Sequence, residues 1–247
     1  MNYRLKIQYD GTRYRGWQRQ KGTDMTIQGK IERVLSEFLG QETEIHGAGR
    51  TDAGVHALEQ VAHLHISGAN PPEPEELRQY LNSYLPEDIR VLSADRAGER
   101  FHSRLNATGK IYRYHIIKPE ADCVFMRKYA WKVPEPLEVK RMQRAAEYLL
   151  GNHDFRSFCS KPSKKKSTVR RIDGIDIEET SREIQITFRG NGFLYNMVRI
   201  LTGTLVEIGS GKREPEEIQT ILEHKERRYA GETAPARGLF LVKVLYD

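Results

Sequence analysis

The residues best suited to chemistry lie on one glycine-rich turn. Residues 46–57, HGAGRTDAGVHA, place Asp52 among three glycines that fall within eight residues. Glycine allows positive φ and lets the backbone approach a ligand closely, and an apolar run over residues 61–66 follows to anchor the turn. An aspartate in this setting could supply a catalytic carboxylate, or it could cap its own turn.

The longer string around Asp52 favours catalysis. Residues 49–57, GRTDAGVHA, form a run too specific to arise readily by chance. The run closely resembles the catalytic loop of the tRNA pseudouridine synthase A family, and the resemblance extends from Leu5 almost to the C-terminus. It implies that Asp52 is the essential catalytic residue and that Arg50 helps to turn the target uridine out of the RNA.

Two more candidate site residues come from other stretches that resemble signatures of this family. Tyr112 lies in the run 110–117, KIYRYHII, downstream of FHSR at 101–104, and the resemblance identifies it as the active-site tyrosine. Arg199 lies in 192–200, GFLYNMVRI, where the family's arginine pairs with the catalytic aspartate. The residues alone also allow an ordinary strand tyrosine and a solvated helix arginine.

The implied reaction converts uridine to pseudouridine. It breaks the bond between the ribose and uracil N1, rotates the base and joins C5 to the same sugar carbon, so it needs no redox step, metal or cofactor in principle. An ordinary aspartate, with a reference pKa of about 3.9, is already ionised at neutral pH, and Arg199 would prevent burial from neutralising it. Tyr112 could stack on the flipped uracil or take part in proton transfer.

The charge of the chain predicts a polyanionic partner. The formal net charge is +6 and the isoelectric point is about 9.2. Tyr14 and Trp17, whose rings can stack on bases, lie among the basic residues of segment 13–21. The basic residues expected to contact RNA phosphates are Arg13, Arg15, Arg19, Lys21, Arg104, Lys161, Lys164, Lys165 and Lys166. The resemblance implies that the partner is the anticodon arm of tRNA, with uridines 38, 39 and 40 as targets, and that the protein is a homodimer.

Hydrophobic periodicity predicts an α+β fold. Strands are predicted over residues 3–9, 60–66, 110–117, 169–177, 184–188 and 240–246, and helices over 27–38, 77–84, 139–150, 192–208 and 216–222. The order of elements predicts two similar halves, 1–106 and 107–247, that share a mostly antiparallel sheet. The resemblance implies the pseudouridine synthase fold, whose helices and loops flank a central basic cleft.

Several polar residues carry more specific expectations. Glu32 is expected on the solvent side of the first helix, opposite its apolar stripe. His63 and His65 are expected to share a polar outer strand face, because no further ligands complete a metal site around them. Residues 152–155, NHDF, are expected to be helix-exit and packing residues, and Cys123 and Cys159 are expected to be buried thiols rather than a disulfide.

The chain also carries expectations about location. It starts with a charged strand, so we expect no signal peptide and a cytoplasmic protein. No run is long and apolar enough to span a bilayer.

Three rival functions stay open at the level of the sequence. Residues 51–54, TDAG, are similar to the loop of aspartic proteases, but those sites need two matched carboxylates and the chain has no second copy of this loop. A non-catalytic RNA-binding protein of the same fold would show the same basic charge and aromatic residues. A paralogue that modifies another RNA would also share the site residues.

Overall fold

The computed structural model describes residues 1–68, 70–121, 123–162 and 167–247. It is an α+β structure whose strands pair mostly in antiparallel fashion, which confirms the predicted fold class. The strands are β1 (Asn2–Tyr9), β2 (His46–Gly47), β3 (His56–His65), β4 (Ile89–Ala97), β5 (Gly109–Ile117), β6 (Trp131–Lys132), β7 (Gly151–Asp154), β8 (Val169–Glu179), β9 (Glu183–Gly190) and β10 (Leu239–Leu245). The α-helices are α1 (Ile27–Leu39), α2 (Pro74–Tyr84), α3 (Val139–Glu147), α4 (Met197–Gly209) and α5 (Glu217–His224). None of the helices in the described ranges has the length and apolar character to cross a membrane.

Contacts within the chain define two compact units. The first contains residues 1–108 and 240–247, and the second contains residues 109–239. The C-terminal strand therefore packs with the first unit, whereas the sequence-based division at residues 106 and 107 assigned it to the second half.

The first unit is built on the strand order β4-β1-β3-β10, with β2 added to β3. Strand β1 forms because its apolar residues recur with a period of two, which buries Tyr3, Leu5 and Ile7 on one face. Helix α1 begins after Thr26, whose side chain accepts a hydrogen bond from the Gly29 N–H. These elements carry the chain into and out of the Asp52 turn.

Glu32 on α1 does not face solvent as its position opposite the apolar stripe predicted. Its side chain is 4% exposed, and one carboxylate oxygen accepts hydrogen bonds from Gln28 Nε2 at 2.8 Å and from the Ile45 N–H at 3.0 Å. A buried carboxylate is retained when it satisfies buried donors, so the expected surface residue is an internal acceptor. Burial raises its pKa above the ordinary value.

The expected polar outer face of β3 is also wrong at one of its two histidines. His65 is exposed, but His63 is buried because the segment after β4 folds over it. His63 Nδ1 accepts a hydrogen bond from the Ser103 N–H at 3.2 Å, and Ser103 Oγ donates to the His46 carbonyl at 2.5 Å. Burial, and then the nearby imidazoles led by His102, lower the pKa of His63 to about 4.

The second unit is built on the strand order β5-β9-β8-β7, with β6 pairing parallel to β5. Residues 151–154 form β7, paired with β8, and not the helix exit that was predicted. Helix α3 ends earlier, at Glu147, and Gly151 then adopts a φ of 91°. Asp154 caps the next short helix by accepting the Arg156 N–H at 3.2 Å.

Helix α4 begins later than predicted. Asn196 takes a left-handed φ of 61°, so the helix starts at Met197 and residues 192–196 lie outside it. The helix is buried on nearly all sides, and Arg199 in its first turn is half-buried. Both cysteines are free, but only Cys159 is buried, because Cys123 keeps partial exposure.

Candidate active site

The Asp52 turn is closed by its own backbone. The Val55 N–H donates to the Asp52 carbonyl at 3.1 Å, and Gly54 adopts a φ of 79°, a conformation that costs glycine no steric strain. The Asp52 side chain is half-buried, while its neighbour Thr51 is buried. The structure therefore presents the carboxylate from a defined turn whose preceding residue is fixed in the interior.

Thr51 is held from two directions, by Tyr9 at the end of the first strand and by Trp17 in the segment that follows it. The Trp17 N–H donates to the Thr51 carbonyl at 3.0 Å, and the Tyr9 hydroxyl lies 2.8 Å from Thr51 Oγ1. Burial raises the pKa of the Tyr9 phenol to about 12, so this hydroxyl stays protonated at neutral pH. The residue immediately before Asp52 therefore has both its backbone and its side chain fixed.

Close backbone packing reinforces this arrangement. At Gly16, where φ is 101°, an added Cβ would lie 2.7 Å from the Thr51 carbonyl oxygen. At Gly11 it would lie 2.0 Å from the Val55 carbonyl oxygen. The segment 11–17 thus lies directly against the Asp52 turn, which explains why glycines are found there.

The strand that follows the turn holds its other side. The Ala48 N–H donates to the Val61 carbonyl at 2.7 Å, and Gln60 Nε2 donates to the Gly49 carbonyl at 3.0 Å. His56, at the start of β3, is buried and accepts the Gly11 N–H on its Nδ1 at 3.1 Å. The turn is therefore attached at both ends to the sheet of the first unit.

Arg50 is exposed at the edge of the same turn. Its Nε donates to Gln18 Oε1 at 3.0 Å. Gln18 was not identified from the sequence, although a signal was present, because Gln18 is a polar residue directly after the buried Trp17. The structure therefore brings Arg50 and Asp52 together on one loop and adds Gln18 as a neighbour of Arg50.

Tyr112 lies on β5 in the second unit, where it pairs with Phe188 of β9. It is 7% exposed, and the ring of Phe193 meets it edge-on with centroids 5.2 Å apart. Tyr114, two residues on, shares its strand face, but its hydroxyl donates to the Pro235 carbonyl at 2.7 Å and burial raises its pKa. The Tyr114 phenol thus has a structural role.

Arg199 is oriented by groups of the second unit. Its Nε donates to the Ala234 carbonyl at 2.7 Å and its Nη1 donates to Asn196 Oδ1 at 3.1 Å. The Ala234 N–H donates back to the Arg199 carbonyl at 3.1 Å, which ties the segment before β10 to α4. Asn196 and Ala234 were not identified from the sequence as supports of this arginine.

The predicted RNA-contacting residues differ in how much of their charge is available. Arg13 forms an ion pair with Asp88 at 2.7 Å, and Arg19 pairs with the buried Glu32 at 3.3 Å. Arg15 is exposed at the surface, as are Lys21 and Arg104. The ammonium of Lys161 lies 5.6 Å from the ring centroid of Tyr195, a cation–π arrangement. Lys164, Lys165 and Lys166 lie outside the described residues.

A metal centre finds no support in the described ranges. They contain no group of three or more histidine, cysteine, aspartate or glutamate side chains arranged to hold an ion. The histidines around His63 fit this result, because the Nδ1 atoms of both His63 and His102 already accept backbone N–H groups.

Comparison with known proteins places this fold and turn in one enzyme class. The family model described as tRNA pseudouridine synthase matches residues 6–106 and 145–247. Together with the mostly antiparallel α+β fold, this match defines the chain as a pseudouridine synthase, an isomerase. The chain belongs to the tRNA pseudouridine synthase family, as the resemblance predicted.

Individual relatives align along nearly the whole chain. The tRNA pseudouridine synthase A of Bacillus sp. strain KSM-64 is 49% identical over 97% of both chains. The tRNA pseudouridine synthase A 2 of Bacillus cereus is 48% identical over 98% of both chains, and that of Clostridium tetani is 42% identical over 100% of this chain and 99% of its own. Among solved structures, a chain in the crystal structure of a Cbf5-Nop10-Gar1 complex aligns with 97% of this chain and 48% of its own length, at 12% identity and a TM-score of 0.39.

Proposed function

We propose that this protein isomerises uridine to pseudouridine at positions 38, 39 and 40 in the anticodon arm of tRNA, with Asp52 as the catalytic carboxylate. The observation that carries the proposal is the Asp52 turn. Its sequence resembles the family's catalytic loop, and its geometry is fixed by Tyr9 and Trp17 through the neighbouring Thr51. A backbone fixed on both sides of Asp52 gives its carboxylate the defined starting position that pre-organised catalysis requires.

The reaction asks three things of the protein. The uridine must leave its stack, which costs a few kcal/mol. The glycosidic bond to N1 must break and a new bond from C5 to the same sugar carbon must form. A proton must then leave C5 while N1 gains one, so that the product is an isomer of the substrate.

We assign these tasks to four residues. Arg50 turns the uridine out of the RNA, and Asp52 assists the exchange of bonds at the sugar carbon. Arg199 supplies the guanidinium that keeps the carboxylate ionised. The hydrogen bonds from its Nε and Nη1 atoms to Ala234 and Asn196 support this role, because they hold the guanidinium in a fixed orientation. Tyr112 provides the aromatic face and phenol next to the freed base, supported by its fixed place on β5 with the ring of Phe193 packed edge-on against it.

Recognition of RNA rests on shape and charge. A-form RNA offers little sequence information in its deep groove, so contacts to the backbone suit an enzyme that accepts several neighbouring uridines. Exposed basic side chains such as Arg15, Lys21 and Arg104 are suited to phosphate contacts. We further propose, from the family resemblance, that the protein acts in the cytoplasm as a homodimer whose two subunits both touch one tRNA.

The proposal is tested by mapping pseudouridine in tRNA transcripts after incubation with the purified protein and no added cofactor. Modification confined to positions 38, 39 and 40 supports the full assignment. Modification elsewhere in tRNA, or in another RNA only, would contradict the substrate site. Tight binding of tRNA without any modification would identify a non-catalytic RNA-binding protein.

A further inference from the structure

A hydrogen-bonded network of polar side chains links the exposed Arg50 to buried side chains of helix α1. Arg50 Nε donates to Gln18 Oε1 at 3.0 Å, and Gln18 Nε2 donates to Gln28 Oε1 at 2.7 Å. Gln28 in turn donates from its Nε2 to Glu32 Oε1 at 2.8 Å. Gln28 and Glu32 are only 3% and 4% exposed, whereas Arg50 is at the surface.

The buried end of this network fixes the orientation of the Gln28 side-chain amide. Besides Glu32, Gln28 Nε2 donates to the Ile45 carbonyl at 3.0 Å. Both of these partners are acceptors: the Ile45 carbonyl oxygen, and the Glu32 carboxylate oxygen that already accepts the Ile45 N–H. Only the NH₂ group of Gln28 can therefore face them. The carbonyl oxygen of the Gln28 amide must therefore point the other way.

That orientation determines the orientation of Gln18. The Gln28 amide oxygen also accepts the Arg19 N–H at 2.9 Å, which confirms it as an acceptor. Gln18 must present its NH₂ group to this oxygen, because two amide oxygens would repel each other. Its own oxygen then faces Arg50, whose guanidinium can only donate. A reversed Gln18 would place donors against donors at Arg50.

We propose that Gln18 is a positioning residue that holds the Arg50 guanidinium in the orientation it uses on the target nucleotide. The inference rests on the proposed role of Arg50. A long, exposed arginine samples many rotamers, and ordering it during the reaction costs entropy. An acceptor whose direction is set from a buried carboxylate removes part of that cost before the RNA binds.

The sharpest test is a double-mutant cycle on the full-length protein. Gln18→Met keeps the length of the side chain but removes the acceptor for Arg50 and the donor to Gln28. Gln20→Met is the matched control, because Gln20 is exposed and donates instead to the Arg15 carbonyl at 2.9 Å. Each variant is made with Arg50 and with Arg50→Ala, and single-turnover modification rates and tRNA Kd values are measured separately.

The expected result is a rate about tenfold lower for Gln18→Met, with little change in Kd, and a rate close to the parent for Gln20→Met. In the Arg50→Ala background, Gln18→Met should add no further loss, because its effect acts through Arg50. Melting temperatures identify any general folding defect, and Gln18→Ala serves as a second variant if Gln18→Met does not fold.

Three outcomes overturn the inference, and they are distinguishable. If Gln18→Met lowers the rate equally in both backgrounds, or not at all while Arg50→Ala is slow, then Gln18 does not act through Arg50 and the proposed function is unaffected. If Arg50→Ala itself turns over at the parent rate, then the proposed role of Arg50 fails and the positioning role of Gln18 fails with it.

Discussion

The phenol oxygen of Tyr9 lies 2.8 Å from the hydroxyl oxygen of Thr51, the residue immediately before Asp52. Tyr9 is the last residue of β1, so the contact joins two segments that are distant in sequence. Since both side chains are buried, neither hydroxyl can exchange this partner for water at little cost. The first strand therefore helps to fix the turn that carries the Asp52 carboxylate, the proposed catalytic group.

Tyr9→Phe should weaken both stability and turnover. The change leaves the Thr51 hydroxyl without its partner and should lower the free energy of unfolding by about 1 kcal/mol. Because the lost contact adjoins Asp52, the turnover rate should also fall several-fold. Tyr3→Phe is the control, since Tyr3 lies on the same strand but donates to the Pro72 carbonyl at 2.6 Å. A Tyr9→Phe protein with normal turnover would contradict this account of the turn.

Gly16→Ala should disrupt the turn more than another glycine substitution at positive φ. Its Cβ would lie 2.7 Å from the Thr51 carbonyl oxygen, in addition to the strain of a φ of 101°. Gly22 has a φ of 85° with nothing within 4 Å of an added Cβ, so Gly22→Ala isolates the strain alone. We expect Gly22→Ala to cost about 1 kcal/mol of stability and to stay active. Gly16→Ala should cost more and lose activity, and equal effects in the two proteins would show that the close packing does not matter.

Much of the scaffold was predictable because its signals are local. The strand β1 follows from the period-two alternation of its apolar residues, and the helical spacing over residues 27–38 predicted α1 to within one residue. The candidate site residues Asp52 and Arg50 were found through one contiguous motif. Their positions along the chain needed no knowledge of tertiary contacts.

The features that were missed are buried polar residues. Hydrophobic periodicity treats Glu32 and His63 as surface residues, but each is buried because it satisfies a backbone N–H that comes from a distant segment. Gln18 was overlooked for the same reason, since its partners Gln28 and Arg50 lie 10 and 32 residues away. Strand β4 was missed because its apolar alternation is limited to Ile89 and Val91.

The basic residues near the N-terminus should contribute unequally to RNA binding. Arg15 and Lys21 form no ion pair within the described part of the chain, while Asp88 already pairs with Arg13. Replacing Arg15 and Lys21 together by alanine should weaken tRNA binding. It should also reduce the slope of log K against the logarithm of the salt concentration by about one to two, which corresponds to one or two lost phosphate contacts. Arg13→Ala should change the slope little. Measuring Kd over a range of salt concentrations checks this, and a larger effect from Arg13→Ala would contradict it.

The burial of His63 predicts a loss of stability in mild acid. Its pKa is about 4 in the folded protein, below the ordinary value of about 6.5 for the unfolded chain. Between these values the unfolded state binds the extra proton, so stability falls as the pH falls, by at most about 1.4 kcal/mol per pH unit for this group. Above about pH 6.5 neither state binds this proton, so His63 no longer reduces the free energy of unfolding.

The check for His63 is urea unfolding of the wild type and His63→Asn at several pH values between about 4 and 7. Asparagine can still accept the Ser103 N–H but does not titrate in this range. The asparagine variant should therefore show the weaker loss of stability towards low pH. Parallel pH profiles would mean that His63 is not the group responsible.

The central claim concerns the carboxylate of Asp52, and Asp52→Asn tests it most directly because the amide keeps the size of the side chain and removes its charge. Pseudouridine formation in tRNA transcripts and tRNA affinity are measured on the same preparation. The expected result is complete loss of pseudouridine with tRNA affinity close to the wild type. Pseudouridine formed by Asp52→Asn at a rate near that of the wild type would contradict the assignment of Asp52 as the catalytic residue.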